Sequence, residues 1–210
     1  MTTTPRSGSE LMDLAPVMPV VVVEDPEKAV PLARALVSGG LPGVEITLRT
    51  SGAMAAIERV AAEVPEAVVG AGTVTTPEKA DAAARAGANF LVSPGCSPRL
   101  SEAMADTGLP FLPGVSTVSE AMALLEQGVH EMKFFPAEPA GGAAFLKALS
   151  SPLPQARFCP TGGITVDSAP AYLALPNVGC VGGSWLTPAS LVEAGRWDEI
   201  TGLARAAAQL

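Results

Sequence analysis

The sequence predicts an α/β chain built on one parallel sheet, and three observations predict it. Short runs rich in Val, Ile and Phe recur eight times, with starts 21 to 27 residues apart. Segments rich in Ala, Leu, Glu and Lys, helical in character, fill the intervals. Pro26 and Pro77 stand where first helical turns begin, and Gly39 and Gly87 where helices stop. Eight strand-then-helix units in 210 residues match a single (β/α)8 TIM barrel, at the small end of that fold's size range. A doubly wound open sheet is the alternative. It calls for a Gly-rich dinucleotide turn after the first strand, where Glu24-Asp25-Pro26 stands instead.

In chain order the strand candidates are VMPVVVV from Val17, VEITLR from Val44, AVVGAG from Ala67, NFLVSPG from Asn89, PFLPGV from Pro110, EMKFFP from Glu131, RFCPTGG from Arg157 and VGCVGGS from Val178. The segments PEKAVPLARALVSGG and TPEKADAAARAGA typify the helices between them. Residues Met1–Glu10 read as a loose arm, and residues 11–210 as one barrel domain with no internal linker.

Composition narrows the function. Hydrophobic residues make up 48% and charged residues 16%, a globular balance. The net charge of −8 suits neither nucleic acid nor an anionic surface, so an anionic ligand must be held by local groups. Cys96, Cys159 and Cys180 form no C-x-x-C pair, and their odd number fits a reducing, cytoplasmic setting. His130 is the one histidine, which excludes a multi-histidine metal site and disfavours Ser-His-Asp chemistry. The apolar run Leu14–Val23 carries two prolines and acidic neighbours, unlike a signal core, and prolines break the uncharged run Ser168–Val192, so no membrane span is expected.

Side chains alternate along a strand. In VEITLR the apolar set is Val44, Ile46 and Leu48, which a barrel turns outward against helices. Glu45, Thr47 and Arg49 then face inward. In EMKFFP the outward pair is Met132 and Phe134, and Glu131, Lys133 and Phe135 face in. A buried ion-pair cluster that only fixes the interior would satisfy Glu45, Arg49 and Lys133. A chemical reading also exists. Restricted solvation and a nearby cation such as Arg49 favour the neutral amine of a lysine, which attacks carbonyls to form a Schiff base. Glu45 would then supply acid–base catalysis. Thr73 and Thr161 stand at strand ends, on the rim where barrel active sites lie. After the last two strands come Gly162-Gly163 and Gly182-Gly183, the latter followed by Ser184. Such pairs are often only tight turns. At equivalent places on adjacent strands, with the start of the next helix, they could also hold a phosphate through backbone N–H groups. His130 reads as a rim residue, Cys159 and Cys180 as small core fillers, Cys96 as a rim thiol, and Trp185 and Trp197 as packing.

Taken together, EITLRT, VGAGTV, VSPG, PGVSTVSE, KFFPAE, RFCPTGGI and GGSWL, in that order, resemble the class I 2-keto-3-deoxy-6-phosphogluconate aldolases, including those that also cleave 4-hydroxy-2-oxoglutarate. The resemblance runs from about Pro16 to the C-terminus. It implies a barrel assembled as a homotrimer and a lyase that needs no cofactor and no metal. It implies Lys133 as the Schiff-base lysine and Glu45 as the acid–base carboxylate. Arg49 and Thr73 would hold the pyruvyl carboxylate, with Thr161 bordering pyruvate and Phe135 and Pro94 lining its pocket. Gly162, Gly163, Gly183 and Ser184 would hold the phosphate of a phosphorylated 2-keto acid. An isomerase or synthase on a similar barrel, and a non-catalytic binder of a phosphorylated acid, are the rival readings.

Overall fold

The computed structural model describes residues 4–210. Its strands are β1 (Val17–Val21), β2 (Gly43–Thr47), β3 (Val68–Gly72), β4 (Phe90–Val92), β5 (Phe111–Leu112), β6 (Gly114–Val115), β7 (Glu131–Phe134), β8 (Arg157–Pro160) and β9 (Val181–Gly183). Every ladder is parallel. One sheet runs β5-β4-β3-β2-β1-β9 and the other β6-β7-β8. Bridges Phe158–Val178 and Thr161–Gly182 join β8 to β9, and β5 and β6 are halves of one strand, so the ring closes with eight strands. The fifth predicted strand is split because Pro113 has no N–H to donate and breaks the ladder there. The eighth is shorter than its apolar run, pairing only at Val178 before β9 begins.

Helices α2 (Ala29–Ser38), α3 (Ala53–Glu63), α4 (Pro77–Arg85), α5 (Pro98–Asp106), α6 (Val118–Glu126), α7 (Gly142–Leu149) and α8 (Ala169–Leu173) follow successive strands. Then α9 (Ala189–Glu193) and α10 (Trp197–Ala207) follow β9. Their starts are written locally: Thr76 and Ser97 cap α4 and α5 ahead of a proline, and Thr117 with Glu120 forms a capping box on α6.

Two cores follow from strand alternation. Val44, Ile46, Val69, Ala71, Leu91, Met132 and Phe134 face outward and pack on the helices, with Phe134 stacked on Phe145 of α7 at 5.2 Å. Inside, Met18, Val68, Phe90, Val92, Leu112, Cys159 and Cys180 fill the lower barrel. That plug is closed from below by α1 (Gly8–Met12), whose Leu11 and Met12 are 0% and 1% exposed. Gly8–Glu10, expected to belong to a loose arm over Met1–Glu10, are instead helical. Ser7 caps α1 through Glu10 N–H, and Arg157 grips Asp13 at 2.5 Å and Ser9 at 2.9 Å. Residues 1–3 lie outside the described residues, and the boundary drawn after Glu10 falls inside this helix.

Candidate active site

The upper barrel is polar where the lower is apolar. Glu45 on β2 and Lys133 on β7 both point inward, and Lys133 Nζ lies 3.1 Å from Glu45 Oε1. Their residues are 2% and 3% exposed. Two charges this dry are tolerated only as a pair. Gly72 on β3 makes the room: a methyl there would overlap the Glu45 carboxylate. Thr47, also inward, donates to Val21 O at 3.0 Å and ties β2 to β1 beneath the rim. The Phe135 ring faces Lys133 Nζ at 5.4 Å.

Above the pair is a cavity of about 120 Å3 lined by Arg49, Phe135, Thr161, Gly162, Gly163 and Ser184, with Val20, Ile164 and Gly182 completing it. Arg49 differs from the alternation reading. β2 ends at Thr47, the Arg49 N–H donates back to Thr47 O, and the chain turns, so Arg49 is exposed at the rim rather than inside. Its Nε donates to Thr73 Oγ1 at 3.1 Å. Thr73 holds a left-handed φ of 58°, which is strained for a β-branched residue and aims its hydroxyl at Arg49. Lys133's charged partner is thus Glu45, and Arg49 is engaged above.

The glycine turns differ in detail from expectation. Thr161 O and Gly162 O accept from Ala137 N–H at 2.8 Å and Glu138 N–H at 3.0 Å. A trans peptide points its N–H opposite its C=O, so the Gly162 and Gly163 N–H groups face away from that strut of chain. The Thr161–Gly182 bridge turns the Gly162 N–H toward Gly182, whereas among the described residues the N–H groups of Gly163 and Ile164 donate to no protein acceptor. They form an anion-ready concavity. No helix start reinforces it, because α8 begins only at Ala169 and α9 only at Ala189.

The structure thus pairs Lys133 with Glu45 and gathers Arg49, Phe135, Thr161, Gly162, Gly163 and Ser184 around one cavity; Lys133 and Glu45 do not themselves line it, Phe135 lies between the two groups, and Thr73 is joined through Arg49. Two residues stand apart. Gly183 lies against the Trp185 ring, and Pro94 is half-buried with its main chain stacked on Gly114. Neither lines the cavity. Sequence reasoning missed Gly72 and Val20, and named Gly182 only as part of a glycine pair. Thr161 packs on Gly182 so closely that a methyl there would overlap its hydroxyl. The available signal was glycine at inward positions next to bulky inward neighbours. Cys96 lies in a separate small cavity between α5 and α6, and burial pushes its thiol up to about 11, so it is protonated at neutral pH.

Such an arrangement can form and break bonds at a carbonyl. It has a buried amine, a carboxylate in reach of that amine's protons, an arginine above, and free amides for an anion.

Comparison with known proteins points to one family. The family model for KDPG and KHG aldolase matches residues 9–203. The chain is 50% identical to the KHG/KDPG aldolase of Escherichia coli (strain K12) over 203 residues, covering 97% of this chain and 95% of that protein. It superimposes with a TM-score of 0.94 on the KDPG aldolase of Legionella pneumophila, solved with pyruvate captured as a covalent carbinolamine. That structure is 44% identical, covering 96% of this chain and 98% of the other. Against the 2-keto-3-deoxy-6-phosphogluconate aldolase of Zymomonas mobilis ZM4, solved with 3-phosphoglycerate, the TM-score is 0.90 at 48% identity, covering 97% and 95%.

Proposed function

The chain belongs to the KDPG and KHG aldolase family, and from that premise we propose that Lys133 and Glu45 perform class I aldol cleavage. The substrate is 2-keto-3-deoxy-6-phosphogluconate, split reversibly into pyruvate and glyceraldehyde 3-phosphate. The smaller 4-hydroxy-2-oxoglutarate gives pyruvate and glyoxylate. The observation that carries this reading is the buried contact of Lys133 Nζ with Glu45 Oε1 at 3.1 Å beneath the Arg49-lined cavity.

The neutral Lys133 amine attacks the C2 ketone, and Glu45 delivers the proton with which the carbinolamine hydroxyl leaves as water. Glu45 next accepts the proton of the C4 hydroxyl. The C3–C4 bond breaks, its electron pair moves into the iminium, and the aldehyde departs. The remaining enamine takes a proton at C3, and water hydrolyses the imine to release pyruvate and restore the amine. Arg49, with Thr73 positioning it, holds the pyruvyl carboxylate, and Thr161 and Phe135 bound that end. Gly162, Gly163 and Ser184 receive the phosphate. The electron sink is the lysine imine, so the reading calls for no cofactor or metal, and EDTA is expected to leave turnover unchanged.

Borohydride added with pyruvate is expected to leave a reduced pyruvyl adduct on Lys133, located by peptide mapping. Lys133→Ala should abolish turnover, and Glu45→Gln should lower kcat by about 10²-fold or more. No adduct at Lys133 would sink the proposal in favour of an isomerase or a binding protein.

The assembly is a homotrimer. Exposed Val118 and Met122, one turn apart on α6, and exposed Val166 supply apolar surface for association. Sedimentation should give three times the 21.2 kDa chain mass, and a monomer would refute it. Three free cysteines support work in the cytoplasm, so activity should fractionate with the soluble cell extract. Among the described residues, no helix is long and apolar enough to cross a membrane.

A further inference from the structure

Behind the Gly162-Gly163 turn sits a pair of side chains that the proposed chemistry leaves unused. Tyr172 on α8 is 1% exposed, and its hydroxyl donates to Glu138 Oε1 at 2.5 Å. Glu138 belongs to the segment after β7 that runs beside the turn. Its N–H donates to Gly162 O at 3.0 Å, and its stem lies so close to Gly163 that a methyl there would meet its Cβ and Cγ at 2.8 Å. From the other side, Gly142 at the start of α7 leaves space for the hydroxyl: a methyl on Gly142 would sit 3.2 Å from it.

The turn needs a brace. Gly162 and Gly163 hold φ of 104° and 82°, and consecutive glycines can leave such a conformation at little steric cost. Ordering them on each binding event would weaken anion capture, whereas a turn already held open spares that entropy. Glu138 carries its own hazard, because it is an exposed residue whose free carboxylate could swing toward a bound phosphate and repel it. The Tyr172 bond fixes one carboxylate oxygen on the far side of the turn. Burial, with Glu138 alongside, holds the phenol well above its usual range, so it stays a donor at any working pH.

We propose that Tyr172 and Glu138 are positioning residues that hold the Gly162-Gly163 turn with the Gly163 and Ile164 N–H groups facing the anion, and so set the preference for phosphorylated over unphosphorylated 2-keto acids. This rests on the aldolase reading above for its substrates, but not for its anion.

Tyr172→Phe removes one hydroxyl and keeps the ring in the core. It is expected to raise KM for 2-keto-3-deoxy-6-phosphogluconate, and Kd for inorganic phosphate by calorimetry, about 3- to 10-fold. KM and kcat for 4-hydroxy-2-oxoglutarate should stay at wild-type values. Glu138→Gln keeps an oxygen acceptor for the phenol and should behave nearly as wild type, whereas Glu138→Ala should match Tyr172→Phe. The alanine variant alters an exposed side chain, so it decides the matter even if Tyr172→Phe fails to fold. Equal losses on both substrates, or unchanged phosphate affinity and KM in Glu138→Ala, would overturn the proposal. Wild-type protein that binds phosphate but cleaves neither substrate would fail the aldolase reading alone, and the calorimetric comparison would still judge the brace. Wild-type protein that neither binds phosphate nor cleaves either substrate would overturn both.

Discussion

Lys133 has almost no water around it, and a carboxylate at 3.1 Å is its charged partner. Removing two charges from water costs several kcal/mol each, and their attraction roughly returns that cost, so such a pair adds little to stability against an apolar replacement. Stability therefore does not explain its presence, and this separates chemistry from mere interior packing. Lys133→Met or Glu45→Leu alone strands a buried charge and should cost about 3–5 kcal/mol. The double variant should recover most of that loss in chemical denaturation, and it should have no turnover. A double variant as unstable as the worse single one would mean that the pair is retained for the fold. Gly72 serves the same atoms, since any side chain there would displace the Glu45 carboxylate.

At the scale of elements, strand alternation was legible because one face of each strand must meet helices, and Glu45 and Lys133 broke an otherwise apolar pattern inward. Arg49 was expected to point into the barrel, and the structure sets it at the rim, where it lines the cavity. Alternation holds only while the strand lasts, and β2 stops at Thr47. Nothing in PFLPGV except Pro113 announced the split into β5 and β6, and the closing bond from Gly114 N–H goes to a side chain, Ser93 Oγ, at 3.1 Å. The first helix was missed for a different reason. Five residues with two apolar side chains have no readable period, and α1 is held by what it covers rather than by propensity. Leu11→Ala should thus cost about 2–5 kcal/mol in denaturant unfolding, the range for emptying a packed core site. It should leave kcat/KM near wild type, since the inner plug separates α1 from the Lys133 layer. A fall in kcat/KM matching the loss of stability would show that the plug and the active layer are mechanically one.

The whole molecule carries a net charge of −8, and its proposed substrate is also anionic. Long-range attraction therefore does not favour delivery of the ligand, and in the proposed reading capture rests on Arg49 and on the amides of the Gly162-Gly163 turn. The glycine pairs were legible as turns at the ends of two strands, but which of them borders the cavity, and how the Gly162-Gly163 turn is set, depends on a neighbouring loop distant in sequence. Around the second cavity, of about 260 Å3, the acids Glu24, Asp25 and Glu193 outnumber Lys28, which is itself tied to Glu193 at 2.6 Å, and this cavity shares Val20 and Ser184 with the first. The field near the mouth opposes an incoming phosphate. Salt screens such a field over about 8–10 Å at physiological strength, while short contacts inside the site are screened far less. Raising ionic strength from about 10 to 150 mM with a salt whose anion does not compete should therefore increase kcat/KM for the phosphorylated substrate, by less than about threefold. A steep fall would mean that an electropositive approach surface governs capture, contrary to the placement of charge in this chain.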